Sequence, residues 1–352
     1  MRCRVDAGPV AGHDHTIRAA LALARIATVT RRLRLLPVVL ALGALAVAVQ
    51  GCAHRTPARP PVTVPPAPPV PAPAPEAPVS VQVGGHVEIV PLEEYVAGCV
   101  AAELGSIPLP PAGAARARDV QAILCRSYAV ASRGRHARDG FDLCSTTHCQ
   151  LYRAAPATVI GRLSREAAAR TAGLLVLWHG RPVQPIYHAD CGGHTTTPGE
   201  VWGGPSPPYY VSAVDDACPK RPPWRAEVTL ARLSDILRAA PGIALDGPLR
   251  GLAVERRDSS GRAEWVRLTA RRPVVVRGAD FRAAVTARLG AAVLPSTLFE
   301  VSVRAGLARF EGRGNGHGVG LCEAGMIVRA GRGDRPVDIL AHYFPGTTIA
   351  TG

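Results

Sequence analysis

A proline-rich stretch divides this chain into a part that can form a globular core and a part that cannot. Eleven prolines fall between positions 57 and 78, with alanine and valine among them. Such a sequence favours an extended polyproline II conformation, which has no internal hydrogen bonds and buries little apolar surface. Residues 53–79 are therefore predicted to be a linker, and the folded part of the 352-residue chain is expected within residues 80–352.

The residues before the linker have the pattern of an export signal. Three arginines at positions 31, 32 and 34 precede an apolar run from Leu35 to Val49, and Gly51 precedes Cys52. A basic region, an apolar region and a small residue before the cleavage point are typical of such signals. Residues 1–52 are therefore predicted to direct export. Residues 1–28 do not resemble the basic region of a signal, so the true start of translation is expected further into the sequence.

The end of this signal indicates how the protein is held outside the cytoplasm. Val49-Gln50-Gly51-Cys52 resembles a lipobox, in which Cys52 becomes the lipidated first residue of a bacterial lipoprotein. Gln50 is an unusual residue at its position in that motif, and a plain N-terminal membrane anchor is the alternative. We expect an extracytoplasmic lipoprotein attached to a membrane. Ala53 fits sorting to the outer membrane if the cell has two membranes.

The charge of the chain does not indicate nucleic-acid binding. The formal net charge is +14, and Lys220 is the only lysine, so nearly all the positive charge is arginine. The arginines are scattered, only 5% of residues are aromatic, and no zinc-knuckle or helix-turn-helix spacing occurs. We therefore expect no nucleic-acid partner.

Hydrophobic periodicity within residues 80–352 predicts an α+β fold. Residues 91–103 are predicted to be an entry turn followed by a short helix, and further helices are predicted at 113–137, 165–172 (with Ser164 as N-cap), 230–240, 279–288, 322–330 and 337–343. Strands are predicted at 81–83, 87–89, 174–178, 182–187, 251–256, 263–269, 273–277 and 300–311. No βαβ rhythm is present, which favours mixed helices and antiparallel strands. Residues from about 225 to 300 are interpreted as a smaller inserted lobe.

Glu103 is a candidate general acid. It ends the run Pro91-Leu-Glu-Glu-Tyr-Val-Ala-Gly-Cys-Val-Ala-Ala-Glu103, beside apolar neighbours and before a Gly-Ser-Ile-Pro break. A carboxyl group at a helix end that faces a cleft beside apolar groups can have a raised pKa, as a proton donor near neutral pH requires. A solvated surface glutamate is the alternative interpretation.

Four residues have the composition of a structural zinc site. His136 lies at the end of the predicted 113–137 helix, and Cys144, His148 and Cys149 follow in a tight loop. Two thiolates and two imidazoles supply four ligands to zinc and leave no open position, so such an ion would clamp the loop and not catalyse. A Cys144–Cys149 disulfide with two incidental histidines is the alternative, since disulfides form in exported proteins.

A second cluster, His188-Ala-Asp-Cys-Gly-Gly-His194-Thr195, combines ligand-type side chains with a tight glycine turn at Gly192 and Gly193. A metal site from His188, Cys191 and His194 is one interpretation, and a disulfide between Cys191 and Cys218 is another. Closing that loop would stabilise the fold by about 3–4 kcal/mol.

A third cluster is the glycine-rich segment Gly314-Asn-Gly-His-Gly-Val-Gly-Leu-Cys322, which contains His317. It lacks a Walker lysine, which argues against a nucleotide site. Glycines on both sides of His317 let the backbone approach a ligand closely. After lipidation at Cys52, seven cysteines remain, so they cannot all pair within the chain. Cys99 and Cys125 lie on predicted helices and are expected to be buried thiols.

Taken together, these segments resemble the SpoIID/LytB family. The residues that carry the resemblance are PLEEYVAGCVAAE at 91–103, CRSYAVASRGRHARDGFDLCSTTHCQLY at 125–152, IYHADCGGHTT at 186–196 and GNGHGVGLCEAGM at 314–326, in the family's order. The resemblance spans roughly 80–350. Glu323 departs from it, because glutamine is expected at that position.

The resemblance implies a peptidoglycan lytic transglycosylase that cleaves the bond from N-acetylmuramic acid to N-acetylglucosamine and leaves 1,6-anhydromuramic ends. It places the catalytic glutamate on Glu103 and a single structural zinc ion on the 136–149 cluster. It also implies a substrate groove, lined by Tyr187, His188, Cys191, Gly192, Gly193, His194, Thr195, His317 and Glu323. The expected partners are glycan strands stripped of stem peptides, and a cell-wall amidase that acts first.

Three other functions fit parts of the sequence. The protein could bind the cell wall or enhance an amidase without catalysis, a role also known in the wider family. It could be a hydrolase, which would require a second carboxylate near Glu103, with Asp190, Glu200 and Glu323 as candidates. A metal-dependent peptidase or amidase would require an open metal site, which His188, Cys191 and His194 supply only without the usual spacing. The sequence does not imply a role in sporulation.

Overall fold

The structure, a computed structural model, describes residues 77–351. The export signal, the lipidation residue Cys52 and all but the last three residues of the linker predicted at 53–79 lie outside the described residues. Within this part of the chain, no helix combines the length and the apolar character that a membrane crossing requires.

Helices and antiparallel strands alternate irregularly, which confirms the predicted α+β class. The helices are α1 (Leu92–Leu104), α2 (Pro111–Ala131), α3 (Val159–Arg170), α4 (Pro198–Trp202), α5 (Leu230–Arg238), α6 (Gly278–Leu289), α7 (Glu323–Arg332) and α8 (Pro336–Tyr343). The strands are β1 (Val79–Val83), β2 (His86–Val90), β3 (Leu143–Cys144), β4 (Leu174–Trp178), β5 (Arg181–Pro182), β6 (Tyr187–His188), β7 (Trp224–Thr229), β8 (Gly251–Arg257), β9 (Ala263–Thr269), β10 (Pro273–Arg277), β11 (Phe299–Arg304), β12 (Leu307–Gly312), β13 (Leu321–Cys322) and β14 (Thr348–Thr351).

The strands form five small sheets. Their orders are β2-β1-β3, β10-β9-β8, β11-β12-β7, β13-β6 and β14-β4-β5. Two pairings are parallel, β1 with β3 and β13 with β6, and the other pairings between these strands are antiparallel.

Helix α2 is the centre of the larger part of the fold. It packs against α1, α3, α7, α8 and β4. Most of its residues are buried, because alanines on several faces allow neighbouring elements to approach closely. One core lies between α1, α2 and β1, and a second lies between α2, α7, α8 and β4. The side chain of Leu104 packs against both cores, so the end of α1 lies where the two meet.

A third core is formed by buried side chains between Val228 and Phe310, around the aromatic cluster of Phe281, Phe299 and Phe310. It covers most of the residues interpreted as an inserted lobe. Strand β12 pairs with β7 along its whole length, so the hairpin after residue 300 belongs to the same sheet as β7.

Several predicted boundaries are wrong for local reasons. Helix α2 ends at Ala131 instead of 137, so His136 follows the helix in a turn that leads to the 3-10 turn Ala137–Asp139. Helix α3 begins six residues earlier than predicted. Ser164 lies inside it, and its hydroxyl donates to the Ile160 carbonyl at 2.8 Å in place of capping the helix.

The predicted 174–187 hairpin contains only β4 and β5. The turn between these strands is made by His179 and Gly180, which both have positive φ angles of 49° and 75°. Strand β6 leaves this sheet and pairs with β13. Tyr187 is therefore not part of the predicted hairpin, and its strand pairs with a distant part of the chain.

Candidate active site

Glu103 lies one residue before the end of α1 and is half-buried. The helix stops at Leu104 because Gly105 has a positive φ of 51°, which does not continue a right-handed helix. Glycine is the residue that adopts such a φ without steric cost. The anchoring of Leu104 in two cores fixes the helix end, and therefore fixes where the adjacent carboxyl group can lie.

Two groups from distant segments contact the Glu103 carboxyl group. The Tyr187 hydroxyl donates to Oε1 at 3.2 Å, and the backbone amide of Leu151 faces the same carboxyl group. Burial raises the pKa of Glu103, and the interactions with Tyr187 and the Leu151 amide partly offset the rise. A proton donor that works near neutral pH requires a carboxyl pKa raised in this way.

Gln150 connects Tyr187 to the core. The Tyr187 hydroxyl lies 3.2 Å from Gln150 Oε1, so its single proton is shared between the amide oxygen and Glu103. The amide nitrogen of Gln150 donates to the Tyr95 hydroxyl at 3.3 Å and to the Cys125 carbonyl at 3.2 Å. Gln150 is 2% exposed, so these partners fix its orientation and hold Tyr187 in place.

The side chains of His136, Cys144, His148 and Cys149 come together as predicted for a metal site. One ligand atom from each residue lies within 4.8 Å of the others. Cys149 Sγ is 3.4 Å from His136 Nε2 and 3.7 Å from His148 Nδ1, and Cys144 Sγ is 3.6 Å from His148 Nδ1. Tetrahedral zinc, with typical bonds to sulfur and nitrogen, has S···N edges of about 3.5 Å. These three distances therefore match tetrahedral zinc.

Two further features suit a metal site. His136 Nδ1 lies 3.1 Å from Asp139 Oδ2, which leaves Nε2 facing the two thiols, and such carboxylate–histidine pairs orient metal ligands. Burial disfavours the Cys144 thiolate, but hydrogen bonds from Thr146, His148 and Cys149 outweigh that effect and lower the pKa of Cys144 to about 6. Both cysteines are free thiols, so the structure does not contain the alternative Cys144–Cys149 disulfide.

This cluster is directly connected to Glu103. Cys149 is followed by Gln150 and Leu151, the two residues that hold Tyr187 and Glu103. A metal ion that held the 144–149 loop would therefore also hold Gln150 and Leu151 beside Tyr187 and Glu103.

Two histidines lie close together near Tyr187. The rings of His188 and His317 are 5.3 Å apart, and Trp202 lies 5.2 Å from His317. His188 is buried, its Nδ1 lies 3.1 Å from the Val319 carbonyl, and His317 Nδ1 accepts from the Val319 N–H at 3.0 Å.

Both imidazoles are neutral. Burial lowers the pKa of His188 well below its usual range, and His317 and Arg262 add to the effect. Burial and two arginines lower the pKa of His317 to about 3. Neither histidine is therefore a cation near neutral pH.

The remaining predicted groove residues occupy different environments. Cys191 and Thr195 are buried, so their side chains support the glycine turn from beneath and do not face a groove. Gly192 and Gly193 have φ angles of 71° and 103°. His194 is partly exposed, and its Nδ1 lies 2.8 Å from the Thr195 carbonyl.

Cys191 is not grouped with the two histidines as a metal site would require. Its thiol lies with those of Cys218 and Cys322 and with Asp215, while His188 and His194 bind backbone carbonyls. The suggested pairing of Cys191 with Cys218 is also not present, because both residues are free thiols.

The three alternative acids differ in their surroundings. Asp190 binds the Gly192 N–H at 2.7 Å and lies 3.3 Å from Arg221 Nε, and burial raises its pKa to about 6. Glu200 is held by donors from Ser259, Thr196 and Thr197, which overcome the effect of burial and lower its pKa to about 2. Glu200 therefore caps α4 and cannot hold a proton near neutral pH.

Glu323 is the alternative acid whose pKa is affected by the charge of Glu103. Burial and the charge of Glu103 raise its pKa to about 8, and its Oε1 has no hydrogen-bond partner within the described chain. Glu323 directly follows β13, the strand that pairs with the strand of Tyr187. The departure from the family pattern therefore lies beside the Glu103–Tyr187 contact.

Sequence reasoning missed several of these contacts. The sequence analysis assigned no role to Gln150, which follows the cysteine motif. Leu151 interacts with Glu103 only through its backbone, so its side-chain type gave no signal. Trp202 and Asp215 carried no motif signal at all. Gln150 could have been noticed as a polar residue directly after the predicted metal loop.

Comparison with known proteins agrees with the resemblance. A family model described as SpoIID, stage II sporulation protein, matches residues 82–178. Stage II sporulation protein D of Bacillus amyloliquefaciens is 26% identical over 300 residues, which cover 78% of this chain and 80% of that protein. The protein of the same name from Bacillus subtilis strain 168 is 26% identical over 288 residues, with the same coverage.

A protein named amidase enhancer, from Bacillus subtilis strain 168, is 23% identical over 298 residues, which cover 70% of this chain and 40% of that protein. The matched family region contains Glu103 and the whole 136–149 cluster. The resemblance seen in the four motifs is therefore confirmed: the chain matches the SpoIID family model and is similar over most of its length to the stage II sporulation protein D and amidase enhancer proteins.

Proposed function

We propose that this protein acts on the bacterial cell wall as a peptidoglycan lytic transglycosylase, with Glu103 as its single acid and base. The named relatives support a cell-wall-related role. The observation that carries the finer proposal is the Glu103 carboxyl group, half-buried at a fixed helix end, with a raised pKa and the Tyr187 hydroxyl as hydrogen-bond donor.

The chemistry would proceed in two proton transfers. Protonated Glu103 gives its proton to the oxygen that links N-acetylmuramic acid to N-acetylglucosamine, and the bond to the muramic C1 breaks with an oxocarbenium-like charge. The Glu103 carboxylate then takes the proton of the muramic 6-hydroxyl, whose oxygen bonds to C1 and closes the 1,6-anhydro ring. No water is consumed, and Glu103 ends protonated as it began.

The surroundings of Glu103 suit both transfers. Burial favours the protonated state that the first transfer requires. The Tyr187 hydroxyl donates to the carboxylate that exists between the transfers, and the Leu151 amide faces it. Such fixed dipoles stabilise charge without reorganisation.

Zinc at His136, Cys144, His148 and Cys149 would be structural, because four protein ligands leave no position for substrate. It would hold the loop that presents Leu151 and Gln150. We propose His194, His317 and Glu323 as groove residues, with substrate contacts but no assigned proton transfer. His188 is as buried as Thr195, so we propose that it supports His317 from the interior.

Placement and partners follow from the sequence. We propose an exported lipoprotein, anchored through Cys52, that acts on glycan strands stripped of stem peptides by an amidase. The relative named amidase enhancer supports an association with such an enzyme.

Mass spectrometry of soluble products tests the proposal. The purified protein is incubated with intact and with peptide-stripped glycan strands, beside Glu103→Gln and the control Glu94→Gln. Glu94 lies on the same helix and pairs with exposed Arg165. We expect anhydro-muramic ends from the wild type and the control, and a loss of about 10²–10⁴-fold in Glu103→Gln. Reducing ends would indicate a hydrolase instead.

The second candidate is a non-catalytic amidase enhancer, which the relative of that name favours. It predicts no soluble product from either substrate. It also predicts that the wild type and Glu103→Gln raise the rate of an added cell-wall amidase equally. The wild type and Glu103→Gln therefore distinguish the two candidates in two assays, product analysis and amidase rate.

A further inference from the structure

We propose that Cys191, Asp215, Cys218 and Cys322 form a second structural zinc site, separate from the His136–Cys149 cluster. One ligand atom from each residue lies within 4.8 Å of the others, and all four residues are buried. They come from three segments: the turn after β6, the loop at 215–218, and the end of β13. The inference does not depend on the proposed catalytic activity.

The sulfur–oxygen distance in this cluster matches tetrahedral coordination. Cys191 Sγ lies 3.5 Å from Asp215 Oδ2. Zinc with typical bonds to a thiolate and a carboxylate has an S···O edge of about 3.5 Å. Four protein ligands would again leave no open position, so this ion would be structural as well.

Backbone donors point at two of the sulfur atoms. The N–H of Cys191 donates to Cys322 Sγ at 3.2 Å, the N–H of Gly193 donates to Cys191 Sγ at 3.3 Å, and the N–H of Gly325 donates to Cys322 Sγ at 3.4 Å. Hydrogen bonds to a charged group favour its charged form. These amides are therefore arranged for thiolates, and a buried thiolate requires a cation beside it.

The surrounding charge suits an anionic metal site. Three thiolates and one carboxylate carry two more negative charges than zinc neutralises. Arg262 is 1% exposed and donates to the carbonyls of Cys191 and His194, and Arg329 Nη2 lies 3.8 Å from Asp215 Oδ1. Two guanidinium groups at the edge of the cluster would offset the excess.

The site would fix one side of the Glu103–Tyr187 contact. Cys322 ends the strand that pairs with Tyr187 and His188, and Cys191 closes the turn that follows them. The first cluster holds the other side of the contact through Gln150 and Leu151. Zinc ions in both clusters would therefore restrict movement of the segments on either side of the Glu103–Tyr187 contact.

The competing arrangement is a Cys191–Cys218 disulfide, which an oxidising compartment favours. It would leave Cys322 unpaired and would make no use of the amides that point at its sulfur. The two arrangements predict different metal contents and different peptide maps.

The test is the zinc content of the full chain, purified without chelators and in the absence of oxygen, by elemental analysis and native mass spectrometry. We expect two zinc ions per chain. Cys149→Ser and Cys322→Ser should each retain one, and the double variant none. Cys99→Ala, which changes a buried thiol outside both clusters, should retain two. In cobalt-substituted protein, Cys322→Ser should remove about three fifths of the thiolate-to-metal charge-transfer absorption, because the emptied site supplies three of the five thiolate ligands.

Two results would overturn the proposal. One is a single zinc ion per wild-type chain that Cys322→Ser leaves in place. The other is a Cys191–Cys218 peptide linked under non-reducing conditions in protein isolated from its native compartment. The peptide map uses only the wild-type chain, so it remains decisive if a serine variant fails to fold.

Discussion

The Tyr187 hydroxyl lies 3.2 Å from Oε1 of Glu103, although 84 positions separate the two residues in sequence. Helix α1 brings the carboxyl group to this point, and the pairing of β6 with β13 brings the phenol. The contact joins the helix-end motif to the His188–His194 motif, which the sequence shows only as separate segments.

Replacing Tyr187 with phenylalanine should change the pH dependence of cleavage. The Tyr187 hydrogen bond lowers the pKa of Glu103 against the larger effect of burial, so its loss raises that pKa further. The protonated carboxyl group is lost as pH rises through its pKa. We therefore expect the alkaline limb of kcat/KM to move to higher pH in Tyr187→Phe.

The measurement is the rate of anhydro-muramic product formation across pH 5 to 9. Tyr209→Phe is the control, since Tyr209 contacts Trp178 and Tyr210 instead of Glu103. An unchanged alkaline limb in Tyr187→Phe would show that Glu103 is not the group whose titration limits the rate.

Removing a hydrogen-bond partner of the first metal cluster should weaken zinc binding. Asp139 Oδ2 lies 3.1 Å from His136 Nδ1 and orients that ligand. Loss of such a partner typically costs about 10–100-fold in metal affinity or activity. We expect that loss of affinity in Asp139→Ala, measured by competition with a chromophoric chelator, and little change in Arg138→Ala.

Zinc removal should also reduce cleavage. The metal loop continues into Gln150 and Leu151, which contact Tyr187 and Glu103. Chelation should therefore lower both the melting temperature and kcat/KM, and added zinc should restore them. Full activity in metal-free, folded protein would show that the metal cluster does not support the active site.

Glu93 and Glu94 are adjacent, but their replacement should have very different effects. The Arg126 side chain is fully buried, and it donates to Glu93 at 2.8 and 2.6 Å and to the Ala168 carbonyl at 3.0 Å. Removing one partner of a buried ion pair costs about 3–5 kcal/mol. Because Glu93 is itself partly exposed, we expect about 3 kcal/mol for Glu93→Ala.

Glu94 pairs with Arg165 at 3.2 Å, and both side chains are about half exposed. Exposed pairs contribute about 0–1 kcal/mol, so Glu94→Ala should fall in that range. Urea unfolding of the two variants measures the difference. Equal losses of unfolding free energy would mean that water reaches Arg126 easily and that the ion pair does not stabilise the packing of α1 against α2.

Gly98 in α1 should not tolerate alanine, whereas Gly331 in α7 should. A Cβ at Gly98 would lie 2.6 Å from the Arg153 carbonyl oxygen and 2.6 Å from the Tyr152 ring. Overpacking of this kind costs about 1–3 kcal/mol. A Cβ at Gly331 meets only the flexible Leu109 side chain, at 3.0 Å, and alanine gains up to about 1 kcal/mol in helix propensity.

Thermal unfolding of Gly98→Ala and Gly331→Ala checks this prediction. We expect a lower melting temperature for the first and little change for the second. Equal behaviour of the two variants would show that the segment of Tyr152 and Arg153 can move away from α1. In that case Leu151 would not be held firmly against Glu103.

The sequence by itself determined the local features of this protein. Apolar periodicity predicted α1 and the strands of the 251–277 sheet closely, because their patterns depend on neighbouring positions. The spacing of Cys144, His148 and Cys149 predicted a four-ligand cluster with His136, since three of the ligands lie within six residues. Glu103 was identified from its helix-end position and its motif.

Only the tertiary structure decided which distant groups meet. It placed Tyr187 and Leu151 against Glu103, paired Glu93 with Arg126, and gathered Cys191, Cys218 and Cys322 around Asp215. These contacts join positions tens to more than a hundred residues apart, and packing of the cores selects them, not local conformational preference. Sequence periodicity therefore carries no information about them, and the environment that tunes Glu103 could be found only in the folded chain.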